Sequence, residues 1–160
     1  MSEPNSTEQI YAVLIGLRND TLLLPNAGVV EVTSREGLKT LPDTPVWFAG
    51  MLDWQGTQLP VIRFEALAGT AADSTGRRAR VAVVNGVSHA LPGGRFGVLC
   101  EGYPHLVTLS RAALRPAAAR EQDRAEFVLA RVRVASTEAA IPNLQRIEQE
   151  LAQLLATASV

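Results

Sequence analysis

The chain has 160 residues, 47% hydrophobic and 19% charged, so it is long enough to bury a core without disulfide or metal staples. Its formal net charge of −1 removes the basic footprint expected of a nucleic-acid or anionic-membrane binder. The single cysteine, Cys100, cannot form an intrachain disulfide, and its apolar neighbours indicate a buried thiol in a reducing compartment.

The start of the chain is polar. Residues 1–9 lack the basic and apolar segments of a secretory signal, and no window is apolar enough to span a membrane. We therefore expect a disordered N-terminus on a cytoplasmic protein that does not insert into a membrane.

Apolar runs separated by turn-forming residues predict short strands in the first half of the chain. The predicted strands cover residues 10–17, 22–24, 30–33, 47–54 and 58–64. Turns are expected at 18–21 and 55–57, a helical turn within 25–30, a rigid proline-bounded loop at 41–45, a short helix at 65–67 and a linker at 69–76.

The second half repeats this alternation of strands and turns. Strands are predicted at 80–84, 95–100 and 127–135, with a brief helix from Ser110 to Ala113 that follows Leu106–Leu109 and a partly helical connection over 116–126. In the last strand a period of two places Val128, Ala130, Val132 and Val134 on one face and Leu129, Arg131 and Arg133 on the other. The apolar pattern of residues 143–156 predicts an amphipathic helix. It should pack on the small barrels that the strands form, through Leu144, Ile147, Leu151 and Leu154.

The two halves are related by an internal repeat. An offset of 74 aligns apolar, glycine and proline positions, including Leu22 with Phe96, Gly28 with Gly102 and Val32 with Leu106. An offset of 80 aligns Phe48 with Val128, Leu52 with Val132, Thr57 with Thr137 and Phe64 with Leu144. Two copies of a five-strand unit predict a mainly β protein made of paired small barrels.

Residues that could carry chemistry are few. His89, His105 and Cys100 are the only imidazole or thiol donors, and no metal-ligand spacing, nucleophile motif or phosphate-binding glycine loop is present. We therefore predict no catalytic, cofactor-binding or metal-binding residues, and not an enzyme. The basic run Arg77, Arg78 and Arg80 has no interleaved aromatics, which favours a solvated linker end over a nucleic-acid site.

A binding surface has better support from the sequence. Trp54 and Gln55 stand at a predicted hairpin tip, and Val29, Val30 and Val32 crowd a short segment whose single apolar face cannot hide all three. Large apolar residues at loop edges are typical of interaction patches. The alternative for Trp54, as for Trp47, is that it is a core aromatic closing a barrel.

Four segments in a fixed order resemble the family of CheW-like coupling proteins of bacterial chemosensory systems. They are L-P-N-A-G-V-V-E-V at 24–32, L-P-D-T-P-V-W-F-A-G-M-L-D-W-Q-G at 41–56, L-P-V-I-R-F at 59–64 and F-G-V-L-C-E-G-Y-P-H-L-V-T-L-S at 96–110. The resemblance implies a single domain over 10–160 in which two five-stranded SH3-like barrels intertwine, with short helices and a C-terminal amphipathic helix. The pseudo-repeated subdomains would cover roughly 22–68 and 96–147.

The resemblance also implies a role. CheW-like proteins are non-enzymatic scaffolds that link methyl-accepting chemoreceptors to a CheA-like histidine kinase and bind no cofactor. Val29, Glu31 and Val32 match the family's receptor-facing positions, and Trp54, Gln55 and Gly56 match the adjoining hairpin.

Two features of this sequence depart from the ordinary family pattern. Gln55 replaces the arginine that usually precedes Gly56, and Arg63 replaces a usual acidic residue, so an auxiliary or divergent adaptor is expected. The L-D-W-x-G wording at 52–56 is similar to members that control type IV pilus twitching motility.

Two other classes of function make different demands on the sequence. A small all-β ligand-binding or nucleic-acid-binding barrel should carry an aromatic or basic cleft and bind nucleic acid in a salt-sensitive way, and the low charge and scarcity of aromatics disfavour it. An enzyme of unfamiliar type should gather titratable groups in a cleft.

Overall fold

The computed structural model describes residues 9–69, 78–110 and 112–158. A short 3-10 turn, Asn26–Gly28, separates the second and third strands. The helices are α1 (Phe64–Ala68) and α2 (Leu144–Ala158). The strands are β1 (Ile10–Gly16), β2 (Thr21–Pro25), β3 (Val29–Ser34), β4 (Phe48–Trp54), β5 (Thr57–Ile62), β6 (Ala79–Asn85), β7 (Arg95–Glu101), β8 (His105–Leu109), β9 (Leu114–Ala117), β10 (Val128–Val134) and β11 (Thr137–Pro142).

The strands form two mixed sheets that exchange strands between the halves of the sequence. One sheet has the order β8-β1-β2-β11-β10-β9 and the other has the order β3-β6-β7-β5-β4. Four pairings carry the exchange: the parallel pairs β2 with β11 and β5 with β7, and the antiparallel pairs β1 with β8 and β3 with β6. The segments 22–68 and 96–147 each contribute strands to both sheets. The predicted mainly β fold with two intertwined barrel-like sheets and a C-terminal helix is confirmed.

The internal repeat is visible in the three-dimensional structure. Strands β10 and β11 begin and end 80 residues after β4 and β5, and α2 begins 80 residues after α1. Even the irregularities correspond, because the pairing register shifts between Phe48 and Gly50 in one copy and between Val128 and Ala130 in the other. The repeat predicted from the sequence is confirmed in the part of the chain that the structure describes.

The five-stranded sheet curls until its two edges meet. The chain leaving β3 pairs with β4, because the N–H groups of Lys39 and Met51 each donate to the other's carbonyl oxygen, at 2.9 and 2.8 Å. Gly50 makes this approach possible. It has a φ of 140°, and a Cβ at this position would overlap the carbonyl oxygen of Lys39.

Most central strands are buried on both faces, which explains their unbroken apolar runs. In β6, Ala82 and Val84 face the core between the sheets, whereas Val81 and Val83 fill the five-stranded sheet. Helix α2 closes the shared core with Ile147 and Leu151, as its periodicity predicts. The six-stranded sheet encloses its own core of Ala12, Leu23, Leu109, Val132, Val134 and Ala139.

Four predictions about local structure need correction or lie outside the described residues. The brief helix from Ser110 is wrong, because Ser110 Oγ accepts the Ala113 N–H at 3.3 Å in a turn and the chain then enters β9. The partly helical connection over 116–126 is wrong as well, because its first two residues belong to β9 and residues 118–126 form turns and irregular chain. The predicted linker, apart from Gly69, and the N-terminal segment 1–9, apart from Gln9, lie outside the residues that the structure describes.

The alternation predicted for β10 is also wrong at two positions. The bulge between Val128 and Ala130 inserts an extra residue and resets the period, so Ala130 is exposed and Arg131 is buried. The side chain of Arg131 is only 1% exposed. It donates two hydrogen bonds to Asp123, at 2.9 and 2.8 Å, and one to Asp20, at 2.7 Å. This ion cluster ties the β1–β2 loop to β10 and to the segment before it.

A buried glutamate on each helix caps the loop of a β-hairpin. Glu65 on α1 accepts the N–H groups of Arg18 and Asn19, at 3.0 and 2.9 Å, in the β1–β2 loop. Glu148 on α2 accepts the N–H groups of Val87 and Ser88, at 2.6 and 3.2 Å, and the Ser88 hydroxyl at 2.9 Å, in the β6–β7 loop. Burial raises the pKa of Glu65, although its backbone hydrogen bonds oppose the shift. Both carboxylates are structural partners of backbone groups.

Candidate protein-interaction surface

The hairpin between β4 and β5 ends in a two-residue turn. Gln55 and Gly56 have φ angles of 51° and 78°, and Trp54 pairs directly with Thr57. Positive φ at both central positions is typical of the tight hairpin turns that match strand twist. The turn leaves Gln55 and Gly56 exposed at the tip. A side chain at position 55 therefore projects from a rigid hairpin.

Trp54 lies inside the hairpin rather than at its surface. It is 8% exposed and belongs to the core of the five-stranded sheet. Its indole Nε1–H donates to Glu31 Oε2 at 2.6 Å, and the guanidinium of Arg95 lies 5.3 Å from its ring centroid. Little of the Trp54 side chain is accessible to a partner, but its polar edge determines where the carboxylate of Glu31 stands.

Strand β3 presents the second predicted segment of the surface. The pairing of β3 with β6 shifts register between Val29 and Glu31, so Val30 is the extra residue of a bulge and is 37% exposed. Val29 and Val32 are half-buried against the shared core, and Glu31 is exposed. Because of the bulge, this short strand packs Val29 and Val32 inward and leaves Val30 and Glu31 exposed to solvent.

The hydrogen bond between Trp54 and Glu31 joins the two predicted segments, which are 23 residues apart in sequence. We name the surface formed by Val29, Val30, Glu31 and Val32 with Gln55 and Gly56 the β3–hairpin surface. Strands β3 and β4 stand at opposite ends of the strand order, so only the closure of the five-stranded sheet brings these segments together.

The second half carries a counterpart that the sequence analysis did not select. The offset of 74 places Tyr103 on Val29, His105 on Glu31 and Leu106 on Val32. Tyr103 and Leu106 are both more than 60% exposed, and Tyr11 on the paired strand β1 is also exposed. The internal repeat is the sequence signal that points to these residues, because they align with the predicted interaction residues of the first copy.

No gathered set of reactive groups accompanies these surfaces. Over residues 9–69, 78–110 and 112–158, no group of three or more His, Cys, Asp or Glu side chains is placed to hold a metal ion. Across the same ranges, no helix is long and apolar enough to cross a bilayer.

Cys100 should be unreactive in the folded protein. Burial raises the pKa of its thiol to about 11. At pH 8 we expect alkylation by iodoacetamide to be slower by about a hundredfold than in the urea-unfolded chain, because the thiolate is the reacting form. Mass spectrometry of timed aliquots measures both rates. Equal rates for the folded and unfolded chain would contradict this prediction.

These features define a class: a small β-rich module of two intertwined barrels, whose candidate site is a surface strand and a hairpin tip rather than a catalytic cleft. The family model described as CheW-like domain matches residues 12–151. The chain therefore belongs to the family of CheW-like domains, whose members are scaffolds and not enzymes.

Comparison with solved structures supports the fold assignment. The crystal structure of the scaffolding protein TtCheW from Thermoanaerobacter tengcongensis superposes with a TM-score of 0.70 at 18% sequence identity. The match covers 86% of this chain and 90% of that one. No curated protein sequence matches the chain. At this identity the structural likeness establishes the shared fold alone.

Proposed function

We propose that the protein is a non-enzymatic chemosensory adaptor that links methyl-accepting chemoreceptors to a CheA-like histidine kinase in the cytoplasm. The observation that carries this proposal is the hydrogen bond from Trp54 to Glu31, which unites the two segments that resemble the family's receptor-facing positions. Membership of a family of scaffolds supports the same role.

The geometry of the β3–hairpin surface suits a protein partner. Glu31 is exposed, yet its carboxylate is held by Trp54, so little side-chain entropy is lost when it meets a donor on another protein. Val30 adds a small apolar contact beside it. A preorganised carboxylate next to an apolar side chain provides both specificity and contact area.

The test uses two probes from the same cell: the cytoplasmic tip of a methyl-accepting chemoreceptor and the regulatory domain of a CheA-like kinase. Val30→Asp should weaken receptor binding at least about tenfold in biolayer interferometry, because it buries a charge in the contact. Leu129→Asp is the matched control, since Leu129 is 62% exposed on the other sheet. Receptor binding that Val30→Asp leaves unchanged, or that Leu129→Asp weakens equally, would contradict the proposed surface.

We infer further that Gln55 makes this an auxiliary adaptor with weakened receptor coupling. An amide cannot provide the bidentate, charge-assisted contact that a guanidinium makes. Gln55→Arg should therefore strengthen receptor-tip binding about tenfold, measured by the same interferometry. Gln55→Lys is the control, because it restores the charge without the planar fork. If both variants bind like the parent, the side chain at position 55 does not set the affinity.

The proposed biological setting is a type IV pilus system, which the wording L-D-W-x-G at 52–56 supports. Deleting the gene should reduce surface twitching and leave flagellar swimming unchanged. Complementation with the Val30→Asp variant should fail to restore twitching, whereas the Leu129→Asp variant should restore it. Normal twitching in the deletion strain would rule out this setting.

A further inference from the structure

The five-stranded sheet carries an open cleft that is far more basic than the chain as a whole. Its volume is about 600 Å³, and its charged lining consists of four arginines and one glutamate. The arginines are Arg35, Arg63, Arg78 and Arg80. Ser34 and Thr40 add hydroxyl groups, and no aromatic side chain lines the cleft. Arg78 and Arg80, the described members of the basic run, therefore join Arg35 and Arg63 in a larger cluster that the fold assembles from three separate segments.

The arginines of the cleft carry more positive charge than the one glutamate of its lining can balance. Among the described residues, none of the four arginines takes part in an ion pair. Arg63 is held in place because its Nη1 donates to the carbonyl oxygens of Val46 and Phe48, at 3.0 and 3.3 Å. The guanidinium of Arg80 lies over the ring of Tyr103, at 4.3 Å from its centroid. Two positioned and two exposed guanidinium groups thus share one concave surface with a single carboxylate, that of Glu36.

The cleft adjoins one end of the β3–hairpin surface and lies away from the hairpin tip. Ser34, two residues beyond Val32 on β3, lines the cleft. Ala49, at the start of β4, also lines it, whereas the hairpin tip stands at the other end of that strand, five residues and about 17 Å away. None of the residues that form the β3–hairpin surface lines the cleft, so the cleft is a second site on the same sheet.

We propose that this cleft binds an acidic peptide segment of a partner protein through its carboxylate side chains. Guanidinium groups bind carboxylates in bidentate geometry, and several of them on one surface favour a segment with several acidic residues. A single-stranded nucleic acid would also need aromatic surfaces on which its bases stack, and the cleft lining has none. The volume accommodates several side chains of a peptide.

The experiment uses a fluorescein-labelled peptide of alternating Glu and Ser, its Gln-Ser counterpart of equal length, inorganic phosphate and a single-stranded oligonucleotide. Fluorescence anisotropy with the full chain should show binding of the Glu-Ser peptide, weakened by salt, and none of the Gln-Ser peptide. The double variant Arg35→Gln, Arg78→Gln should weaken Glu-Ser binding at least about tenfold. Both side chains are exposed, so the fold should be retained.

The double variant Arg115→Gln, Arg133→Gln is the matched control, because it removes the same charge from exposed residues of the six-stranded sheet. It should bind the Glu-Ser peptide like the parent. Equal weakening by both double variants, equal binding of the Gln-Ser peptide, or tighter binding of phosphate or the oligonucleotide would each overturn the proposal. Val30→Asp should leave this binding unchanged, so failure here and failure of the receptor contact are distinguishable.

Discussion

Replacing Arg131 with methionine should lower the free energy of unfolding by about 3–5 kcal/mol, the largest loss expected from any single substitution considered for this chain. Asp20 and Asp123 are 4% and 5% exposed in their side chains, and both hydrogen-bond to the Arg131 guanidinium. Methionine preserves much of the volume but removes the cation that hydrogen-bonds to both buried carboxylates, leaving only Arg120 Nη1 at 3.7 Å from Asp20. The cost is therefore that of uncompensated charge rather than of a cavity.

Urea unfolding followed by circular dichroism measures this change. Arg133→Met is the matched control, because Arg133 is an exposed arginine two residues along the same strand, and it should change stability by less than about 0.5 kcal/mol. Adding Asp20→Asn and Asp123→Asn to the Arg131→Met variant should recover much of the loss, since the buried charges are then removed together. A loss for Arg131→Met no greater than for the control would show that the cluster is not a stabilising unit.

The same cluster makes stability depend on pH in a defined direction. The hydrogen bond from Arg131 lowers the pKa of Asp123 below its usual value, against the opposing effect of burial. A carboxyl whose pKa is lower in the folded chain contributes stability above its unfolded pKa, and loses it as the pH falls through the folded value. Stability should therefore decline below about pH 4, and Asp123→Asn should flatten that part of the curve.

Replacing Glu148 with alanine should cost about 2–3 kcal/mol. Its carboxylate is the acceptor for two backbone N–H groups and one hydroxyl of the β6–β7 loop, and the residue is 0% exposed. Removing the carboxylate leaves the two N–H groups and the hydroxyl without their charged acceptor, and it leaves a cavity beside the helix. Gly86 lies so close to this carboxylate that a Cβ there would overlap it, so the loop is fitted to the glutamate.

Thermal unfolding by calorimetry compares this variant with two others. Gln149→Ala, at an exposed position of the same helix, should have little effect. Glu65→Ala should be destabilising like Glu148→Ala, because Glu65 caps the corresponding loop of the other hairpin through two backbone N–H groups. If Glu148→Ala unfolds at the same temperature as Gln149→Ala, water replaces the carboxylate at no cost and the cap is not structural.

Much of the fold was predictable because its repeat preserves spacing. The offset of 80 that aligned Phe48 with Val128 also relates the strand bounds, the bulges and the helix starts of the two copies. Local apolar patterns were sufficient to place most strands. They were insufficient for β9, whose four residues pair only with β10 and include Pro116, so nothing in their own pattern indicated a strand.

A local apolar pattern could not predict to which sheet each strand belongs. Leu22 pairs with Ala140 and Val61 with Gly97, and such long-range parallel pairings are decided by the assembled core. The burial of Arg131 could not be predicted for another reason. The β-bulge inserts an extra residue and so changes the face on which Arg131 lies, whereas a strict alternation assumes that no residue is inserted.

The candidate surface was only partly predictable. The exposure of Val30, Glu31 and Gln55 agrees with their selection from the sequence, although their role in binding stays a prediction. The bond between Trp54 and Glu31 could not be foreseen, because it depends on closure of the sheet. The basic cleft was missed because Arg35 and Arg63 lie far in sequence from Arg78 and Arg80.

The exchange of strands between the halves of the chain determines when each sheet can form during synthesis on the ribosome. All strands of the five-stranded sheet lie between Val29 and Glu101, whereas the six-stranded sheet requires the pairing of Leu22 with Ala140. Strand β1 of the first hairpin can pair with β8 once His105–Leu109 has been translated, but the β2 edge must wait for its partner until nearly the whole chain has been made. A nascent chain stalled before β11 would expose the unpaired edge of β2, which makes late truncations a route to aggregation rather than to a working half.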